Sequence, residues 1–118
     1  MFQEVLQKIT THVEGVQGCV LLDSDSVPIA ELYGAGDRDA INFIAIELTN
    51  LVGSLRKRNV LEEFGAVTQF MLSTERAIVL GQIINDEYVL LTAMDPTADL
   101  GRGATMLRLM APWVKRIL

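Results

Sequence analysis

Residues 76–84 (RAIVLGQII) and 87–94 (EYVLLTAM) constrain the fold more than any other part of the chain. Both are short, aliphatic and bounded by polar pairs, the pattern of β-strands joined by tight hairpins. Neither alternates apolar with polar. Ala77, Val79 and Ile83 fall on one face and Ile78, Leu80 and Ile84 on the other, because successive side chains of a strand point to opposite sides. Strands that are apolar on both faces are covered on both. The rest of the chain must therefore supply helices above and below a sheet.

Residues 1–16 predict an amphipathic helix, with Phe2, Val5, Leu6, Ile9 and Val13 on one face and Gln3, Glu4, Gln7, Lys8 and Thr11 toward water. Residues 19–22 and 27–33 predict a hairpin around a polar turn at 23–26, with Pro28 holding its strand to an edge. A long helix is expected over 37–58. Asp37 serves as its N-cap, Asp39 sits in its first turn, and Arg56, Lys57 and Arg58 in its last turn match the helix dipole. Asn59 is the expected stop. A strand follows at 66–73. The tail predicts a helix opened by Asp95 or Thr97, kinked or broken at Pro112, with Trp113 anchoring it to the body. The order α-ββ-α-βββ-α describes an α+β fold. Its five-stranded antiparallel sheet has the central helix on one face and the two terminal helices together on the other.

The central helix carries more apolar surface than that arrangement uses. Ile41, Ile44, Ala45, Leu48, Leu51, Val52 and Leu55 make a core-facing stripe. At roughly 100° per residue, Phe43, Ile46 and Asn50 fall on nearly the opposite side. A second apolar side predicts a cover from outside the chain, either another copy or a partner protein.

At 118 residues, half of them hydrophobic, the chain is long enough for one domain (1–118) with a core that needs no metal or disulfide staple. A net charge of −5 weighs against a nucleic-acid partner, which calls for a basic surface. The single cysteine, Cys19, lies in an apolar run and is expected in a buried strand. The first residues lack the form of a secretion signal, and no apolar run approaches the ~18 residues of a membrane span. Together these predict a cytoplasmic domain with no membrane insertion.

Motifs with chemistry are weak. Gly34-x-Gly36-x-x-Asp39 lacks the third glycine of a dinucleotide fingerprint and places carboxylates where a pyrophosphate would sit. Asp23-Ser24-Asp25 opens like a calcium loop, but Val27, Pro28 and Gly34 occupy the positions that should ligate or turn. One histidine, His12, and one cysteine cannot make a zinc set, and nothing orients them as a nucleophile–base pair. The glycines of Gly101-Arg102-Gly103 suit close packing on the sheet. The expectation is a non-enzyme without cofactor or metal.

Two stretches and the element order together resemble the roadblock (dynein light chain) domain family, most of all its bacterial and archaeal MglB-type members. Val16-Gln17-Gly18-Cys19-Val20-Leu21-Leu22-Asp23, then Val27-Pro28-Ile29-Ala30, is similar to the family's first hairpin. Leu100-Gly101-Arg102-Gly103 through Leu107-Arg108 is similar to its closing helix. The likeness spans essentially the whole chain, with Ser26 where many members carry glycine. It implies a homodimer in which central helices lie side by side and the strand at 66–73 pairs across the two-fold axis. Phe43, Ile46, Glu47, Asn50, Gly53, Val67, Gln69 and Met71 would then form the dimer or partner interface. It further implies a regulator or scaffold that binds a small Ras-like GTPase and modulates its nucleotide cycle. The alternative is a light-chain-like adaptor of a signalling or motor complex. An arginine finger is not implied, and Arg56, Lys57 and Arg58 read as favourable charges at a helix end.

Overall fold

The structure is a computed structural model that describes residues 2–56 and 62–118. The elements follow in the expected order: α1 (Phe2–His12), β1 (Val16–Asp23), β2 (Pro28–Tyr33), α2 (Arg38–Arg56), β3 (Gln69–Ser73), β4 (Ile78–Ile83), β5 (Tyr88–Met94) and α3 (Leu100–Ile117). Lys57, Arg58 and Asn59, expected to end the central helix, lie outside the described residues. The five strands pair antiparallel in the order β2-β1-β5-β4-β3. The N-terminal hairpin thus joins the C-terminal meander through β1 and β5, and α2 is the one crossover between them.

The doubly apolar strands behave as their pattern requires. Leu80, Leu90 and Met94 point to the side where α1 and α3 pack, meeting Leu6, Ile9, Leu107 and Val114. Val79, Val89, Leu91 and Ala93 point to the other, beneath Ile41, Ala45 and Leu48 of α2. Gly103 sets the spacing of α3, because a Cβ there would lie 2.6 Å from Met94 Sδ and 3.1 Å from Leu80 Cδ1. The close-packing reading of the tail glycines holds at that position.

Several details differ from expectation. α3 opens at Asp99, whose Oδ1 accepts from the Arg102 N–H at 3.0 Å. Asp95 is occupied elsewhere, accepting from Gln17 Nε2 at 2.8 Å while its N–H donates to Gly15 O. Pro112 neither breaks nor ends the helix. It is exposed, so the carbonyl of Arg108 that loses its helical donor lies on the solvent side, where water can take its place. Trp113 is 43% exposed with Lys8 Nζ 3.9 Å above its ring, so it caps α1 rather than anchoring the tail in the core. The strand expected from residue 66 begins only at Gln69, which leaves Val67 before it.

Ser26, at the family's glycine position, has φ 61°. A left-handed backbone costs a non-glycine residue roughly 1–2 kcal/mol. Asp23 Oδ1 holds the turn by accepting from the N–H groups of Asp25 and Val27. Ser26 Oγ donates to Asn50 Oδ1 at 2.7 Å. The hydroxyl gives the turn a tie to α2 that glycine could not make.

Candidate partner-binding face

α2 meets the sheet through Ile41, Ala45, Leu48, Thr49 and Val52, an arc centred near Val52. Leu51 lies roughly 100° round from that centre and is 59% exposed; Leu55, one turn on at the helix end, is 41% exposed. Periodicity places both in the core stripe, and the structure does not. The stripe is wider than the arc a helix can press against one sheet, and its far margin is left in solvent. Phe43 is exposed as expected, at 64%. Phe43, Glu47, Leu51 and Leu55 therefore form a continuous ridge at four-residue spacing on the outer face.

The other two residues of the expected second side are held within the chain. Ile46 is half-buried against the α2 core. Asn50 is tied to the hairpin turn by Ser26, and Asn42 Nδ2 donates to Glu31 Oε1 of β2 at 3.2 Å. That flank of α2 faces β2. The opposite flank, with Leu51, looks over the β4–β3 end of the sheet, where Phe70, Leu72 and Ile83 are only half-buried because α2 lies chiefly over β1 and β5. Phe70 stacks over Gly81, its partner across the strand pair, where any Cβ would collide with the ring.

Among the described residues, β3 has a neighbour on one side only. Met71 stands out from it at 53% exposure. Gln69 is turned inward: its Nε2 donates to Gln82 Oε1 at 2.7 Å and to Ala104 O at 2.8 Å, while Gln82 Nε2 donates to Thr68 O and Ile83 O. This satisfied amide pair fixes β3 to α3. Val67 is half-buried outside the strand. A Cβ at Gly53 would meet nothing within 4 Å, so the α2 surface is open there. Beside it, a cleft of about 440 Å³ runs between the end of α2 and the β4–β5 turn, with Arg56 paired to Asp86 at 2.9 Å across it.

Cys19 and His12 do not meet as nucleophile and base. Cys19 Sγ lies 3.5 Å from Thr92 Oγ1, fully buried. Burial pushes its thiol up to about 11 against a smaller lowering from the Thr92 hydrogen bond. His12 is exposed and its Nδ1 donates to Lys8 O. Among the described residues no group of histidine, cysteine and carboxylate side chains is placed to hold a metal ion.

The sequence matches no protein-family model and no curated protein. The fold matches solved structures across nearly its whole length. MglC from Myxococcus xanthus superposes with a TM-score of 0.70 at 23% identity, covering 99% of this chain and 98% of that one. The gliding protein MglB from Thermus thermophilus superposes with a TM-score of 0.83 at 16% identity, over 98% of this chain and 86% of that one. A Roadblock/LC7 domain from Streptomyces avermitilis gives 0.72 at 15% identity, over 95% and 96%. The chain has the Roadblock/LC7 fold that its hairpin and closing helix resemble.

Proposed function

We propose that the chain is a homodimeric, non-enzymatic regulator or scaffold for a small Ras-like GTPase. The observation that carries this reading is the junction of the exposed α2 ridge with the open edge at β3. A second copy placed about a two-fold axis would cover Phe43, Leu51 and Leu55 with its own α2 and shelter Phe70 and Leu72. Its β3 would pair with this one, hiding backbone groups that otherwise invite aggregation. Met71, exposed on the same edge strand, would lie in the seam; Gly53, about 160° round α2 from Leu51, would not. Glu47, the one charge within the ridge, is the candidate contact for the GTPase.

Two measurements test the reading. Sedimentation velocity of the protein is expected to give a dimer. In a symmetric seam Leu51→Asp enters twice, and burying one Leu is worth about 1.5–3 kcal/mol, so the variant is expected to weaken dimerisation at least about tenfold while its circular dichroism spectrum stays that of the parent. The immobilised protein is then exposed to cytosol from its own source with a GTP analogue or with GDP. Nucleotide-dependent retention of a small GTPase supports the proposal. Retention of other proteins in both conditions would replace it with an adaptor role.

A further inference from the structure

The opposite face of the molecule has a chemistry of its own. α1 and α3 together carry Lys8, Arg102, Arg108, Lys115 and Arg116 against a single carboxylate, Glu4. The rest of the chain holds five cations against fourteen carboxylates, two of which, Glu14 and Asp99, border the Arg102 end of this face. Along the outside of α3, Leu109 is 60% exposed and Trp113 43% exposed, with half-buried Met106 a turn before them. Arg102 and Arg116 stand at the two ends of that apolar ridge. Lys8 lies over the Trp113 ring, and Arg102 Nε donates to His12 O at 2.8 Å, so both cations are fixed beside the ridge.

We infer that this α1–α3 face docks the protein on the surface of an anionic phospholipid bilayer. Exposed Leu109 and Trp113 stand along the ridge, with a depression beside Met106 and Leu109 at its Arg102 end, and the pairing of a half-exposed Trp with surrounding cations suits the boundary between headgroups and acyl chains. Glu14 and Asp99 offset Arg102 at one end of the ridge, and the attraction rests on Lys8, Arg108, Lys115 and Arg116, which the acidic remainder of the chain does not cancel. Its charges on the α2 side sit across a molecule 25 Å thick in its shortest dimension, beyond the roughly 8 Å over which charges act at physiological salt. The same asymmetry orients the molecule with α3 toward the lipid. No described helix is long and apolar enough to cross a membrane, and the inference is one of lying on the surface.

The valency of the contact, though not its chemistry, rests on the dimer proposed above. A two-fold axis that pairs two β3 edges into one sheet leaves both α1–α3 faces on the same side. Two weak basic–apolar ridges then meet one flat surface together, and linkage converts weak single contacts into useful avidity.

Trp113 is the only tryptophan in the chain and reports on the ridge directly. The protein is mixed with vesicles of phosphatidylcholine alone or of phosphatidylcholine with phosphatidylserine, and both emission and co-sedimentation are followed. Expected are a blue shift and pelleting with the anionic vesicles only, both reversed by salt. The double variant Arg108→Glu/Arg116→Glu, at two exposed positions, is expected to lower vesicle affinity about tenfold or more while leaving the oligomeric state in free solution unchanged. Equal binding to both vesicle types, or pelleting without a Trp113 shift, would overturn the inference. So would a Trp113 response to polyglutamate but not to lipid, which would assign the face to an acidic protein partner. A dimer in free solution that ignores anionic vesicles removes the lipid surface and spares the dimer. A monomer that still shifts on them does the reverse.

Discussion

The two faces of the sheet are built from similar strands and finished differently. On one, α1 packs over β1 and β2 and α3 over β4 and β5, and Leu6, Ile9, Leu90, Met94, Leu107 and Val114 are essentially without solvent contact. On the other, a single helix covers β1 and β5 and leaves the β4–β3 end half-open, with Leu51, Leu55 and Phe43 beside it in water. One helix cannot cover a five-stranded sheet, since helices pack 8–10 Å apart and strands about 4.8 Å. The difference teaches where the chain keeps its stability: the first face closes the core of the monomer, and the second leaves apolar surface in solvent, the surface proposed above for association.

The largest expected effect breaks that comparison if it fails. Leu107→Ala removes a side chain 1% exposed beneath α3 and should cost about 2–5 kcal/mol, a large share of the 5–15 kcal/mol typical of a domain. Leu51→Ala, at a side chain more than half exposed, should change monomer stability by no more than about 0.5 kcal/mol. Denaturant midpoints of the two variants, measured at a concentration where the protein is monomeric, check the contrast. Similar losses in both would mean that Leu51 belongs to the core after all.

Gly103→Ala sharpens the same contrast at the level of helix–sheet spacing. The new Cβ would press on Met94 Sδ and Leu80 Cδ1. Overpacking a core typically costs about 1–3 kcal/mol, and the flexible end of Met94 should keep the loss near the lower figure. A drop in thermal midpoint is expected, with no change in association.

How far the sequence reveals these faces depends on the kind of information each needs. Element order and layering were legible because strand and helix periods differ and because β4 and β5 are apolar on both sides. The start of α3 was not: Asp95, Thr97 and Asp99 are all plausible caps, and the choice falls to Asp99 because Asp95 is held by Gln17 and Gly15. Pro112 misled because a local rule about helix interiors ignores which side of the helix meets water. Leu51 and Leu55 looked like core because periodicity counts apolar residues without knowing how wide an arc the sheet touches. The resemblance places Gln69 at the interface; what no sequence pattern shows is that its amide is satisfied by Gln82 and Ala104, a pairing set by register and by the placement of α3.

Ser26 offers a smaller test of the join between the hairpin and the open face. Ser26→Ala keeps the left-handed strain and loses the hydrogen bond to Asn50, so a loss of about 0.5–1.5 kcal/mol is expected. Ser26→Gly loses the bond and relieves the strain together, and the two changes should nearly cancel. Equilibrium unfolding of the pair separates strain from tether. A glycine variant as weak as the alanine one would show that the tie to α2, and not the backbone, governs the turn.

The smallest expected effect is also the one whose sign discriminates. Gly53 lies within α2, and a Cβ there meets nothing within 4 Å. Gly53→Ala should therefore stabilise the monomer by about 0.5–1 kcal/mol through helix propensity alone. Gly53 sits about 160° round the helix from Leu51, on the flank away from β3, so a two-fold axis at the β3 edge leaves the new methyl group outside the seam. A gain in unfolding with no loss in sedimentation is the expected result. Weakened association of Gly53→Ala would instead move the seam off the Leu51 ridge and onto the Asn42–Ile46 flank of α2.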